Sequence, residues 1–140
     1  MKQALSIIAK IHECANHIIT EELNKNGIKG LVPSHGDILA ALYGKDNMTM
    51  KDIADKIRRT RPTVTVLVEK LEKLGFVKKT ASDNDKRYTF ISLTEKAKAF
   101  VPVFWEISNN LNEKLYKNIP SDDYDKLENL LLTVLQNAKE

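Results

Sequence analysis

The fold of this chain of 140 residues is decided by the stretch from Thr49 to Thr94, TMKDIADKIRRTRPTVTVLVEKLEKLGFVKKTASDNDKRYTFISLT. Its first half predicts two short helices joined by the tight basic turn RRTR. Thr49 is a good N-cap with an acidic residue three positions on, and Pro62 suits the first turn of the second helix, where its missing N–H is not needed. Gly75 is the expected residue for ending that helix. Helical spacing predicts a buried stripe at Val64, Leu67, Val68 and Leu71.

The second half of the stretch predicts a β-hairpin. Residues 76–81 begin with Phe and Val, and residues 88–93 have the aromatic and β-branched composition of a returning strand. Between them, residues 82–87 are rich in turn-forming types. The order helix, turn, helix, hairpin is that of a winged helix, in which the second helix enters the major groove of DNA and the hairpin forms the wing.

The run from Val64 to Thr94 resembles the MarR family of bacterial transcription regulators. The resemblance rests on the helix end VTVLVEKLEKLGFV, on Asp85-Lys86-Arg87 at the tip of the hairpin, and on the closing Leu93-Thr94. It implies a mainly α-helical winged helix-turn-helix fold with a small β-hairpin, whose flanking helices interlock between two subunits. It also implies a homodimeric regulator, often a repressor, that a small lipophilic or aromatic effector releases from a pseudo-palindromic operator.

The whole chain is expected to form one domain, since 140 residues is an ordinary domain length. Its DNA-binding core is predicted at residues 34–94, with the helix-turn-helix at 49–75 and the wing at 76–93. Residues 1–30 and 95–140 are predicted to be dimerisation helices, because three strongly striped helices exceed what a small winged-helix module needs for its own core. The alternative is that they complete the core of a monomer. The residues expected to hold the dimer are Ile8, Ile11, Ala15, Leu130, Leu131, Val134 and Leu135.

Local signals refine these boundaries. Ser34 is a candidate N-cap for the helix that precedes the helix-turn-helix, and Met48 is expected to form a short strand that pairs with the wing. Past the wing, Thr94 is expected to cap a long helix over about 95–117, and Pro102 should either kink this helix or mark its weak first third. Ser121 is expected to cap the last helix.

Positive charge concentrates in the predicted DNA-binding part of the chain, although the whole chain carries a net charge of only +3. Residues 45–90 hold 12 Lys and Arg against 7 Asp and Glu, whereas the rest of the chain holds 10 against 12. This bias is expected of a phosphate-binding surface; the alternative is an ordinary solvated face. Contacts with double-stranded DNA are predicted at Arg58, Arg59, Arg61, Pro62, Thr63, Thr65, Val66, Lys70 and Lys73.

Different roles are expected within this set. Arg61, Thr63 and Thr65 are candidates for base edges, since reading helices use short polar groups and bidentate donors there. The remaining basic residues are expected to bind phosphates, which position a protein without specifying the sequence. Val66 departs from the family pattern, which often has Arg or another polar residue at this position, but valine can contact a thymine methyl.

The tip of the hairpin adds Asp85, Lys86 and Arg87 to the predicted DNA contacts. The resemblance implies that Arg87 enters the minor groove and that Asp85 orients it. Basic side chains favour the narrow minor groove of A·T-rich DNA. The alternative is that Asp85 and Arg87 only pin the hairpin.

Aromatic side chains on both sides of the reader are candidates for an effector cleft between the reader and the dimer helices. They are Tyr43, Phe100, Phe104 and Trp105. The alternative is core packing, which is commoner for aromatic residues at helical spacing.

Cys14 and the histidines raise the alternatives of a redox-responsive or a metal-responsive regulator. Cys14 lacks the tyrosine donors of peroxide-sensing family members, so a buried, inert thiol is expected. Zinc needs three or four ligands and no histidine follows His35, so neither a metal site nor a cofactor is expected. A further alternative is a winged-helix module that binds protein and no operator.

Other classes of protein do not fit the sequence. It has no Gly-rich phosphate loop, no nucleophile elbow and no convergent acid pair, so an enzyme is not expected. It has no run of 18 apolar residues and no signal-peptide pattern, so neither a membrane span nor secretion is expected. With a single cysteine, these observations predict a protein of the reducing cytoplasm.

Overall fold

A computed structural model of the chain describes residues 1–81 and 88–140, and it has the mainly helical fold with a small antiparallel sheet that the sequence predicts. Its helices are α1 (Ala4–Lys25), α2 (Pro33–Gly44), α3 (Met50–Ile57), α4 (Arg61–Lys73), α5 (Glu95–Ala99), α6 (Val101–Leu115) and α7 (Tyr124–Lys139). Its strands are β1 (Met48–Thr49), β2 (Val77–Ala81) and β3 (Thr89–Leu93).

The helix-turn-helix is formed by α3 and α4, and threonine side chains fix the start of each helix. The Thr49 hydroxyl accepts a hydrogen bond from the N–H of Asp52 at 3.1 Å, which confirms the predicted cap. The Thr60 hydroxyl accepts from the N–H of Thr63 at 3.4 Å, and Pro62 lies in the first turn of α4 as predicted.

The end of α4 is fixed by glycine, as the sequence predicts. Gly75 has a φ of +83°, the left-handed conformation that glycine adopts at low cost. The N–H of Phe76 bonds the C=O of Leu71 at 2.9 Å, and the N–H of Gly75 bonds the C=O of Glu72 at 3.0 Å. This pair of bonds satisfies the last carbonyls of the helix and turns the chain directly into the wing.

The sheet has the order β1-β3-β2, and all of its pairings are antiparallel. Met48 lies opposite Ile91, which confirms the predicted short strand, and Val77 lies opposite Leu93. A carboxylate oxygen of Asp46 accepts from the N–H of Leu93 at 3.0 Å. The turn before α3 is thereby tied to the base of the wing.

The start of α2 differs from the prediction, because Val32 and not Ser34 is its N-cap residue. The N–H of Val32 donates to Nδ1 of His35 at 2.8 Å, and Pro33 is the first helical residue. Valine has no side-chain acceptor for a cap. The imidazole supplies a cap that the usual preference for small polar residues does not predict.

The predicted long helix after the wing is divided into α5 and α6. Its start is as expected, since the Thr94 hydroxyl accepts from the N–H of Ala97 at 3.2 Å. The break falls at Phe100, and Pro102 is the second residue of α6. Proline has no N–H and is tolerated in a first turn, so it favours a new helix over a kink.

The last helix begins later than expected. Ser121 starts a single 3-10 turn that ends at Asp123, and Asp123 is the N-cap of α7 without a side-chain hydrogen bond. The Tyr116 hydroxyl donates to Glu128 at 2.8 Å, and the Tyr116 ring packs edge-on against Tyr124 at 4.8 Å. These contacts attach the start of α7 to the end of α6, but no residue of α7 is buried.

The hydrophobic core lies between α2, α3 and α4, the sheet, α1 and α6. Its largest fully buried side chains are Phe76, Ile38, Leu39, Leu42, Ile53, Leu71 and Ile91. No helix in the described parts of the chain is long and apolar enough to cross a membrane.

Candidate functional site

Helix α4 has one packed face and one free face. Val64, Val68 and Leu71 are fully buried against the core. The opposite face is exposed at Pro62, Val66, Glu69 and Lys73. Val66, at the centre of this face, is 65% exposed. The free face is therefore available to a partner outside the chain.

The turn before α4 presents arginine side chains to solvent. Arg58 has a φ of 58°, and the N–H of Arg59 bonds the C=O of Ala54 at 3.1 Å, so Arg58 ends α3 in a position where glycine is usual. Arg58, Arg59 and Arg61 are all exposed. The left-handed residue turns the chain sharply between the helices, and the three guanidinium groups are free of ion pairs within the described residues.

The threonine hydroxyls of the reading helix are already engaged within the chain. Thr65 donates to the C=O of Arg61 at 2.9 Å and is half-buried. The hydroxyls of Thr60 and Thr63 lie 2.8 Å apart and share a hydrogen bond. A hydroxyl that donates keeps an acceptor position, so Thr65 can accept a bond from a base amino group without losing its intrahelical bond.

The two lysines of α4 have different surroundings. Lys73 is exposed near the end of the helix, whereas Lys70 is half-buried. A Cβ placed on Gly30 would lie 3.0 Å from the Lys70 ammonium, so Lys70 reaches the connector between α1 and α2. Only Lys73 of this pair therefore projects freely from the helix.

The three predicted residues of the wing tip, Asp85, Lys86 and Arg87, lie outside the described residues. The stem of the wing carries a basic surface that the sequence analysis passed over, since Lys78, Lys79 and Thr80 are exposed on β2. Lys79 lies 3.6 Å from Glu72 of α4, so the stem is held beside the reading helix. The adjacent lysines of β2 were the available signal, and the strand is exposed at four consecutive positions.

A cleft of about 760 Å³ lies between α1, α2 and α6. Three of the four aromatic residues that were candidates for an effector cleft, Tyr43, Phe104 and Trp105, line it. The Tyr43 hydroxyl donates to the C=O of Ala97 at 2.7 Å, and burial raises the pKa of Tyr43. The phenol is thereby fixed between the start of α5 and the cleft and stays neutral at ordinary pH.

Phe100 is not brought into this cleft. Its ring packs edge-on against Phe76 with centroids 5.6 Å apart, and it lies at the break between α5 and α6. Among the four aromatic residues predicted together, Phe100 thus follows the alternative interpretation, core packing. Helical spacing could not separate the two outcomes, because Phe100 and Phe104 lie one turn apart with ring centroids 6.3 Å from each other, yet only Phe104 lines the cleft.

His35 is a buried polar residue whose capping role the sequence analysis missed. Its Nε2 is buried and has no hydrogen-bond partner among the described residues. Burial lowers the pKa of His35, and the nearby Lys70 ammonium acts in the same direction. His17 and Glu21 form an exposed pair at 3.1 Å on α1. Within the described ranges, no three His, Cys, Asp or Glu side chains are grouped closely enough to hold a metal ion.

The residues predicted for the dimer are largely uncovered in the single chain. Exposed fractions on α7 are 58% for Leu130, 43% for Leu131, 44% for Val134 and 49% for Leu135. On α1, Ile11 is 48% exposed and Ile8 is half-buried, whereas Ala15 lines the cleft. The exposed leucines of α7 form an apolar surface that nothing in the described chain covers.

Cys14 is exposed on α1, so the expectation of a buried thiol is wrong. It lies between Ile11 and Ile18 on the outer side of the helix, whereas the neighbouring face of α1 packs against α6 and α2. The lack of tyrosine donors near Cys14 indicated an inert thiol but carried no information on its burial, and no described residue covers this side of the helix.

A family model described as the MarR family matches residues 31–89. The HTH-type transcriptional regulator MhqR of Bacillus subtilis is 24% identical over 135 residues, which are 96% of this chain and 90% of MhqR. YfiV of the same organism, an uncharacterized HTH-type transcriptional regulator, is 32% identical over 106 residues, which are 74% of this chain and 66% of YfiV.

The fold is also that of solved structures. A MarR transcriptional regulator from Methanosarcina mazei Go1 superimposes with a TM-score of 0.84 at 20% sequence identity. The likeness covers 98% of this chain and 97% of that one. Helices on both sides of the winged helix are therefore part of the shared architecture.

Proposed function

The chain belongs to the MarR family of DNA-binding transcription regulators, and from this premise we propose that it is a homodimeric repressor that a small lipophilic ligand releases from a pseudo-palindromic operator. Its relatives are regulators and not enzymes. In this proposal residues 34–94 bind DNA, residues 1–30 and 95–140 form the dimer, and the protein acts in the cytoplasm.

The observation that carries the DNA-binding surface is the free face of α4 beside three exposed arginines. Arg61 at the start of the helix reads a base edge, since guanidinium is the commonest specific ligand of guanine. Arg58, Arg59 and Lys73 bind phosphates. Val66, at the centre of the free face, meets a thymine methyl.

The wing extends this surface. Lys78 on β2 binds the phosphate backbone. In this proposal the tip residues Lys86 and Arg87 reach the minor groove. Asp85 orients Arg87 in this proposal, as the resemblance to the family implies. The ion pair between Lys79 and Glu72 supports this placement of the wing, because the pair joins the stem of the wing to the reading helix.

The dimer proposal is supported by the uncovered apolar surface of α7 and the outer side of α1. Burial of a leucine or valine side chain contributes about 1.5–3 kcal/mol, so several such residues stabilise an interface strongly. Single-chain proteins rarely expose a contiguous apolar surface of this kind. A second copy of the chain, related by a two-fold axis, buries the same residues from both sides.

The release of DNA is supported by the position of the connector between α1 and α2. Leu31 and Val32 of this connector line the cleft, and Gly30 beside them touches Lys70 of the reading helix. A ligand that shifts the connector therefore shifts a contact of α4. A ligand that binds one arrangement better than the other changes the population that is competent for DNA.

Selection of bound sequences from random double-stranded DNA tests the proposal. We expect a two-fold symmetric site with half-sites about 10–10.5 bp apart, because both reading helices must face one side of the duplex. With about 6–10 phosphate contacts, the affinity should fall about 10³–10⁵-fold between about 50 and 200 mM salt.

Arg61→Ala should relax the preference at particular base pairs, at a cost of about 1–3 kcal/mol. Lys114→Ala, on α6, removes one exposed positive charge away from the reader and is the control. Selection that enriches no sequence, or an Arg61→Ala variant that binds and selects like the control, would refute the assignment of α4 as reader.

A further inference from the structure

Among the described residues, the cleft between α1, α2 and α6 is lined by one acidic residue, Asp37. Asp37 lies on α2, and no Lys or Arg lines the cleft in the same described part of the chain. His12, on α1, lines the cleft as well. The phenol of Tyr43 donates its proton to Ala97 and stays neutral. An anion in this cleft would lie beside a carboxylate without a fixed positive partner, which is unfavourable.

The same cleft presents aromatic rings. Tyr43 and Phe104 lie with centroids 6.4 Å apart and their planes inclined at 51°, so they form two sides of an angled wall. Trp105, the single tryptophan of the chain, lines the cleft as well and is 64% exposed. The faces of such rings attract cations, and tryptophan does so most strongly.

The cleft also has room and an apolar floor. Its volume of about 760 Å³ lies in the range that small organic ligands occupy. Ile19, Leu23 and Leu39 contribute aliphatic surface. At Gly36, which lines the cleft, an added Cβ meets no atom within 4 Å, so the space beside α2 is open.

We propose that this cleft binds lipophilic organic cations, such as quaternary ammonium or phosphonium compounds, in preference to anions of the same shape. The aromatic wall holds the charged centre, Asp37 neutralises it, and the aliphatic floor takes its substituents. This assignment rests on the proposed effector site and specifies its ligand class. It gives the regulator a response to amphipathic cations.

Tetraphenylphosphonium and tetraphenylborate test the assignment, because the two ions have nearly the same shape and opposite charge. Each is titrated into the full chain without DNA, and binding is followed by the fluorescence of Trp105. We expect a saturable response to the phosphonium and an affinity for the borate that is about tenfold lower or weaker still.

Matched variants locate the binding. Asp37→Asn keeps the shape of the side chain and should weaken phosphonium binding about fivefold. Asp55→Asn is the control, since it removes one exposed carboxylate on α3 outside the cleft and should leave the affinity unchanged. Gly36→Leu should fill the cleft and abolish binding, and the open space there allows the fold to accept it. Trp105→Leu, followed by calorimetry, should weaken binding about two- to fivefold.

Equal affinity for the two ions, tighter binding of the borate, or no saturable response to either overturns the assignment. Phosphonium binding that survives both Asp37→Asn and Gly36→Leu overturns it as well, because the ion then binds elsewhere. A gel shift on selected DNA with the same protein decides the repressor proposal separately. Phosphonium binding without DNA binding upholds the ligand class and refutes the repressor.

Discussion

At the scale of the residue, His35 makes the stability of the fold depend on pH. Burial lowers its pKa in the folded chain below the ordinary 6.5, so the unfolded chain takes up a proton first. The free energy of unfolding should therefore fall as the pH drops below about 6.5 towards the folded pKa. His35→Gln can accept the same bond from Val32 without titrating, and it should flatten this dependence. His35→Ala should cost about 1–2 kcal/mol at about pH 8 through loss of the cap.

Urea unfolding at fixed protein concentration, between about pH 5 and pH 8, measures the effect. His17→Gln is the control for the removal of an exposed imidazole outside the core. A His35→Gln variant with the pH slope of the native chain would refute the prediction.

The sequence predicted the Thr49 cap, since a hydroxyl followed by an acidic residue is a local signal. It could not show His35 as a cap, because the burial that locks this imidazole comes from tertiary packing.

At the scale of the element, two glycines of helices should respond oppositely to alanine. Gly75 ends α4 at a φ of +83°, so Gly75→Ala should destabilise the chain by about 1–2 kcal/mol. Gly36 lies inside α2 and an added Cβ meets nothing within 4 Å, so Gly36→Ala should stabilise it by up to about 1 kcal/mol. Urea midpoints of the two variants provide the measurement. Midpoints that move in the same direction would contradict it.

The same contrast shows what sequence determines at this scale. The ends of α4 and the pairing of Met48 with the wing follow from capping residues and strand patterns, and both were predicted. The break at Phe100 was not, because Pro102 permits either a kink or a new first turn. Packing of Phe100 against Phe76 accompanies the second outcome, and that contact joins residues distant in sequence.

At the scale of the whole molecule, assembly should depend on the apolar surface of α7. Sequence stripes showed that α1 and α7 have more apolar residues than one small core requires, and the structure leaves those of α7 uncovered. The stripe could not show whether these residues would be covered, since period alone does not distinguish an internal face from an interface. The cleft was equally beyond the sequence, because α1, α2 and α6 come together only in the fold.

Leu131→Glu should therefore convert a dimer to monomer or unfolded chain, because a carboxylate at an apolar interface lacks a partner. Val66→Glu is the matched control: Val66 is 65% exposed against 43% for Leu131, yet it lies on the reading helix. Sedimentation at micromolar concentration should find that Val66→Glu is a dimer and that Leu131→Glu is not.

Both variants should lose operator affinity. Val66→Glu should lose it through repulsion from phosphates, and Leu131→Glu through separation of the two reading helices. Only Leu131→Glu should keep the affinity of the native chain for an isolated half-site, provided that its monomer retains the native circular dichroism spectrum. A native chain that sediments as a monomer would refute the dimer, and a dimeric Leu131→Glu would place the interface elsewhere.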